Sequence, residues 1–119
     1  MSEYRLGEVE MRFADIIWNA SPVSSGELVK LAEKELGWKK STTYTVLRRL
    51  CERGIFENKD GAVSVLISKR EFNALQSEEF VEEAFNGSLP SFIAAFADRK
   101  KLSRKEIEEI QEIINKNRM

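Results

Sequence analysis

The chain has 119 residues, with 42% hydrophobic and 33% charged residues, one cysteine, no histidine and a net charge of −1. That suits one globular domain, or one small domain with an appendage. The lack of histidine removes the commonest general base, the commonest metal ligand and every Ser-His or Cys-His nucleophile. With no GxxxxGK(S/T), GxGxxG or CxxC either, no enzyme, metal or cofactor is expected.

Residues 8–20 carry Val9, Phe13, Ile16 and Ile17 at helical spacing, with Trp18 beside them. The N-terminal MSEYRLGEVEMRF has mixed charge and no apolar stretch, so it does not read as a signal peptide. No apolar run reaches membrane-spanning length, which makes a cytoplasmic protein without membrane insertion the expectation. Ser21-Pro22 ends the first helix, and Val23-Ser24 suits a very short strand. Ser24 and Glu27 fit a capping box. They open a second helix with Leu28, Leu31, Ala32 and Leu36 on one stripe and Gly37 as its stop.

A third helix follows a short Gly-Trp-Lys-Lys connection, with Ser41 as the expected N-cap and Gly54 as the stop. Then IFENKDGAVSVLI reads as two strands around Lys59-Asp60-Gly61, where Asp-Gly is a hairpin signal. Ser68 with Glu71 caps a helix over about 69–86. Gly87 ends it and Ser88 caps a short helix. Ser103 with Glu106 opens the last one, over about 104–117. The fold class is therefore mostly α: a winged helix-turn-helix with a two-stranded wing over residues 1–68, then a three-helix region over 69–119.

The C-terminal region holds Phe72, Phe80, Phe85, Phe92 and Phe96, and an isoleucine stripe of Ile107, Ile110, Ile113 and Ile114. About fifty helical residues are marginal as an independent monomer. The expectation is a dimerisation domain sharing its core with a second copy.

The stretch from Trp38 to Leu50, WKKSTTYTVLRRL, which holds the third helix, is rich in residues that are mediocre helix formers. It is also where the positive charge gathers. Residues 1–37 carry four Lys/Arg against seven Asp/Glu, residues 38–60 six against three, and residues 71–119 seven against ten. At about 100° per residue, Leu47, Leu50 and Cys51 face inward. Thr42, Thr45 and Arg49 share another face, with Ser41 and Arg48 close by. Short hydroxyl side chains let a helix approach a surface closely and bond phosphates or base edges. Lys39 and Lys40 at the turn, and Lys59 at the hairpin tip, are expected phosphate contacts. Cys51 reads as a small buried hydrophobe rather than a redox switch. The reading is a DNA-binding protein, with a winged-helix protein-interaction module as the alternative.

Over roughly residues 6–117 the chain resembles the penicillinase-repressor (BlaI/MecI) family of winged-helix transcriptional repressors. The likeness rests on Trp18, on Trp38, Thr42, Thr45, Leu47, Arg49, Leu50 and Gly54, on Phe85-Asn86-Gly87-Ser88 and on Lys101-Leu102-Ser103. The family pattern is W-S-P-K-T-V-x-T-x-L-x-R-L then K-G, followed later by F-x-G-S and K-L-S. The resemblance implies a homodimeric repressor on a palindromic operator, with Thr42, Thr45 and Arg49 reading it. Three departures stand out. Lys39-Lys40-Ser41 replaces the family's S-P-K, and Tyr44 is bulky where the family varies. A membrane-bound sensor protease partner would cut before a phenylalanine; the matching bond is Ala95–Phe96, with alanine in place of the usual asparagine. The C-terminal INKNRM also lacks the cysteines of copper-responsive relatives.

Overall fold

The computed structural model describes residues 4–118. In chain order it contains α1 (Glu8–Ala20), β1 (Val23–Ser24), α2 (Ser25–Leu36), α3 (Lys40–Glu52), β2 (Phe56–Lys59), β3 (Ala62–Val65), α4 (Lys69–Phe85), α5 (Leu89–Arg99) and α6 (Arg104–Lys116). Two compact units result, Met1–Glu79 and Phe80–Met119, with the boundary inside α4.

In the first unit, α2 starts where the Ser24 hydroxyl accepts the Glu27 N–H at 3.1 Å. It stops at Gly37, whose φ of 68° is the left-handed conformation a side chain disfavours. Only Trp38 and Lys39 then separate Gly37 from α3. The hairpin closes through Asp60 and Gly61, both with positive φ (49° and 87°), which is what a two-residue turn matched to strand twist requires. Its register sets Lys59 opposite Ala62 and Phe56 opposite Val65. The hairpin is not alone: β1 pairs antiparallel with β3, giving the sheet order β1-β3-β2. The wing is thereby stitched to the start of α2, since Ser25 N–H also donates to the Gly61 carbonyl at 2.7 Å.

The three helices and the sheet close over Phe13, Ile17, Leu28, Leu47, Leu50, Ile55, Phe56 and Val63, all essentially without exposure. The two tryptophans brace this core. Trp38 packs on Phe13 at 4.9 Å between ring centroids. Trp18 lies 5.4 Å from Phe56 and 5.5 Å from Phe72, and its indole N–H donates to the Ile67 carbonyl at 3.0 Å. Partial burial of so large a ring is tolerated because its one polar atom is satisfied.

Phe72 corrects an expectation. Grouped by sequence with the dimerisation phenylalanines, it is completely buried in the first unit, against Trp18 and Tyr4. The first turns of α4 belong to the winged-helix core, and Phe72 offers nothing to a second copy.

The second unit is built differently. Its helices are well started: Ser88 accepts the Ser91 N–H at 3.1 Å, and Ser103 with Glu106 makes both bonds of a capping box, at 3.1 and 3.0 Å. Phe80, Phe85 and Phe92 meet edge-on, with centroids 6.1, 6.0 and 5.6 Å apart. Yet none of its described residues is buried. Phe96, Ile107, Ile113 and Ile114 are 48%, 51%, 60% and 49% exposed, and Ile110 is half-buried. The polar side of α6 is occupied with itself, through Arg104–Glu108, Lys105–Glu109 and Lys116–Glu112 pairs four residues apart. Such exposed pairs contribute a few tenths of a kcal/mol each, so they support the helix without covering its isoleucine stripe.

Candidate nucleic-acid interface

α3 is anchored by its inward side. Thr43, Val46, Leu47 and Leu50 are buried. That packing supplies the stability its residue types do not. Thr43 shows how a hydroxyl is accommodated there: it is fully buried and donates to the Lys39 carbonyl at 3.2 Å.

The helix starts two residues earlier than its serine suggests. Lys39, not Ser41, occupies the N-cap position. Its backbone is extended, its carbonyl accepts the Thr43 N–H at 3.0 Å, and no side chain caps the end. Ser41 therefore lies inside the first turn, where its carbonyl accepts the Thr45 hydroxyl at 2.9 Å. The consequence is chemical. No N-cap side chain bonds the first N–H groups of α3, which lie beside Lys39 and Lys40, an arrangement suited to an anion.

The outward face carries Ser41, Thr42, Arg48 and Arg49, all exposed, with Thr45 half-buried. Thr45 has committed its proton to the helix backbone, so it presents a methyl group and acceptor lone pairs. Thr42 has no such bond among those described and keeps its donor. Arg49 and Arg48 supply planar donor forks. This is a face able to bond base edges and phosphates at close approach.

The wing contributes from the side. Lys59 is 81% exposed at the end of β2, and its ammonium lies 3.1 Å from the Glu57 carboxylate. An exposed pair of this kind is worth less than about 1 kcal/mol, so Lys59 can exchange that partner for a phosphate at little cost. Between α3 and β2 a groove of about 390 Å³ is lined by Tyr44, Leu47, Arg48, Cys51 and Asn58. It brings α3 and wing residues onto one surface.

Cys51 sits in that groove, half-buried rather than fully inside as expected. Burial pushes its thiol up from the ordinary value, partly offset by the Asn58 backbone N–H. A protonated thiol is a poor nucleophile. Ala95 and Phe96, at the bond that matches the family's cleavage position, lie within α5, where the Phe96 carbonyl accepts the Lys100 N–H at 3.0 Å. Cutting that bond requires α5 to open locally first. Among the described residues no cluster of potential ligands could hold a metal ion, and no helix is long and apolar enough to cross a membrane.

The family model for the penicillinase repressor matches residues 6–116, spanning both units. The chain belongs to the penicillinase repressor family. It is 27% identical over 118 residues to the penicillinase repressor of Bacillus licheniformis, covering 96% of this chain and 92% of that one. It is 26% identical over 117 residues to the methicillin resistance regulatory protein MecI of Staphylococcus aureus, and 25% identical over 117 residues to MecI of Mammaliicoccus sciuri. Each alignment covers 95% of both chains. These family relatives are named as repressors and regulators, not as enzymes.

One residue of the site escaped sequence reasoning. Ser25, next to the α2 cap, bonds the Tyr44 hydroxyl at 3.2 Å. Tyr44 itself was noticed only for its bulk. Nothing in residue spacing announces a contact between positions 19 apart on two helices.

Proposed function

We propose that this chain is a sequence-specific DNA-binding repressor that acts as a homodimer on a palindromic operator. The winged helix of residues 1–68, with the first turns of α4 packed on it through Phe72, binds DNA, and the part of residues 69–119 beyond those turns joins the two copies. The carrying observation is the outward face of α3: Ser41, Thr42, Thr45, Arg48 and Arg49 lie beside an uncapped helix start, flanked by Lys39, Lys40 and the wing lysine Lys59. A solvated helix needs no such clustering of short hydroxyls with cations, and a buried one has no room for it.

The mechanism follows from these groups. The α3 N–H groups with Lys39 and Lys40 hold backbone phosphates and set the helix depth in the major groove. Thr42 and Arg49 then bond base edges, while the Thr45 methyl takes an apolar contact such as a thymine methyl. Lys59 holds a phosphate from the wing. Ile107, Ile110 and Ile114, with Phe80, Phe85, Phe92 and Phe96, join two copies, so that two recognition helices meet two half-sites. Repression is then steric occupancy of the operator.

Selection of bound duplexes from a random pool tests this. The expected result is an enriched palindrome whose half-sites lie about one helical turn apart, or a multiple of it. No enrichment, with retention of a protein partner instead, would favour the interaction-module reading.

A further inference from the structure

Tyr44 stands at the edge of the α3 outward face that borders the wing. It is 36% exposed, and its hydroxyl lies 3.2 Å from the Ser25 hydroxyl in the first turn of α2. Ser25 is in turn tied to the wing. Its backbone N–H donates to the Gly61 carbonyl at 2.7 Å, in the turn that immediately follows Lys59. Gly61 also comes so near the Ser25 hydroxyl that an added Cβ would sit 3.5 Å from it. On its other side the Tyr44 ring underlies the Lys40 ammonium, 6.0 Å from the centroid. One residue thus connects a phosphate-binding lysine, the recognition helix, the start of α2 and, through Ser25, the wing turn.

We propose that Tyr44 and Ser25 are positioning residues for operator recognition: their hydroxyl–hydroxyl bond fixes the outward face of α3 relative to the wing tip. The inference rests on the DNA-binding reading above. Its physical basis is that α3 and the wing approach the duplex as separate contacts. The hairpin is a short element whose turn is otherwise held by β1 pairing, by the Ser25 N–H bond to the Gly61 carbonyl and by the Gly61 N–H bond to the Asn58 side chain, none of which reaches α3. Simultaneous engagement of base edges by α3 and phosphate by Lys59 requires their spacing to match the duplex to within a fraction of an ångström. A bond that sets this spacing in the free protein removes an ordering cost from binding. The effect falls on the operator complex, where both contacts must be made at once. Loose binding to arbitrary DNA, which is mostly phosphate charge, does not depend on it.

The test is a double-mutant cycle with Tyr44→Phe, Ser25→Ala and the double variant, each measured on operator and on a scrambled duplex of equal length. Tyr44→Phe keeps the ring beneath Lys40, and Ser25→Ala keeps the N–H that bonds Gly61, so each variant removes one hydroxyl. Each single variant is expected to weaken operator binding about fivefold, the scale of one net hydrogen bond. The double variant should bind no worse than either single one. Scrambled-duplex affinity and the salt slope should stay as in the wild type. A variant that merely lost folded protein would lower both affinities together. Wild-type operator affinity in Tyr44→Phe, or additive losses in the double variant, would overturn the coupling. A salt slope reduced by about one would replace positioning with a direct phosphate contact. A wild-type protein that does not distinguish operator from scrambled DNA would overturn the DNA-binding reading itself, and the inference with it.

Discussion

Trimming the isoleucine stripe of α6 tests the assembly directly. Ile114 is 49% exposed in a unit none of whose described residues is buried. Full burial of an isoleucine side chain is worth roughly 1.5–3 kcal/mol, so the remaining half stands to contribute about 1 kcal/mol per copy. In a two-fold dimer the residue counts twice. Ile114→Ala is therefore expected to weaken self-association by about 2 kcal/mol, or about 30-fold in the dimer dissociation constant. Alanine is the better helix former, so loss of α6 itself cannot produce this result. Sedimentation equilibrium over a range of concentrations reads the constant, and far-ultraviolet circular dichroism verifies the helix content. An unchanged constant in the variant, or a wild-type protein that is monomeric at micromolar concentration, would refute the reasoning.

Arg49→Ala should leave thermal stability within about 0.5 kcal/mol of wild type, because the side chain is exposed, while weakening specific operator binding by about 1–3 kcal/mol in a titration against labelled duplex. Lys59→Ala should weaken binding to operator and scrambled DNA alike and lower the slope of log affinity against log salt by about one; an unchanged slope would remove the wing phosphate contact. For Glu106, the Ser103 backbone N–H and then the Ser103 hydroxyl hold the carboxyl below the usual range. A depressed folded value means the cap is fully stabilising above the ordinary glutamate range and is lost as pH falls through the folded value. Amide chemical shifts of residues 103–107 should therefore report loosening of the first turn of α6 in acid, and Glu106→Gln should abolish the glutamate-dependent part of that response.

How much of this was legible beforehand depends on how local each signal is. The Ser24, Ser68 and Ser103 caps all accept the expected N–H three residues on, because capping involves only neighbours in sequence. Gly37 and the Asp60-Gly61 turn succeeded for the same reason: a required positive φ restricts residue choice at that position. The start of α3 was misplaced by two residues. Ser41 is the better cap by type, but the turn after Gly37 and the inward burial of Thr43 set the helix phase so that Lys39 falls at the end. Packing outweighed a preference worth about 1 kcal/mol.

The sequence by itself determined the order of elements, the basic centre of an acidic chain and the opposition of apolar and hydroxyl faces along α3. Each of these is carried by composition or by helical and strand periods, which any short window reveals. Only the tertiary structure decided that Phe72 belongs beneath Trp18, that β1 joins the hairpin, and that Tyr44 reaches Ser25. These depend on which surfaces meet once the chain has turned back on itself. A phenylalanine at helical spacing reads alike whether its own domain or a second copy covers it. The same limit applied to Tyr44, whose bulk was visible in the sequence and whose partner lies on another helix.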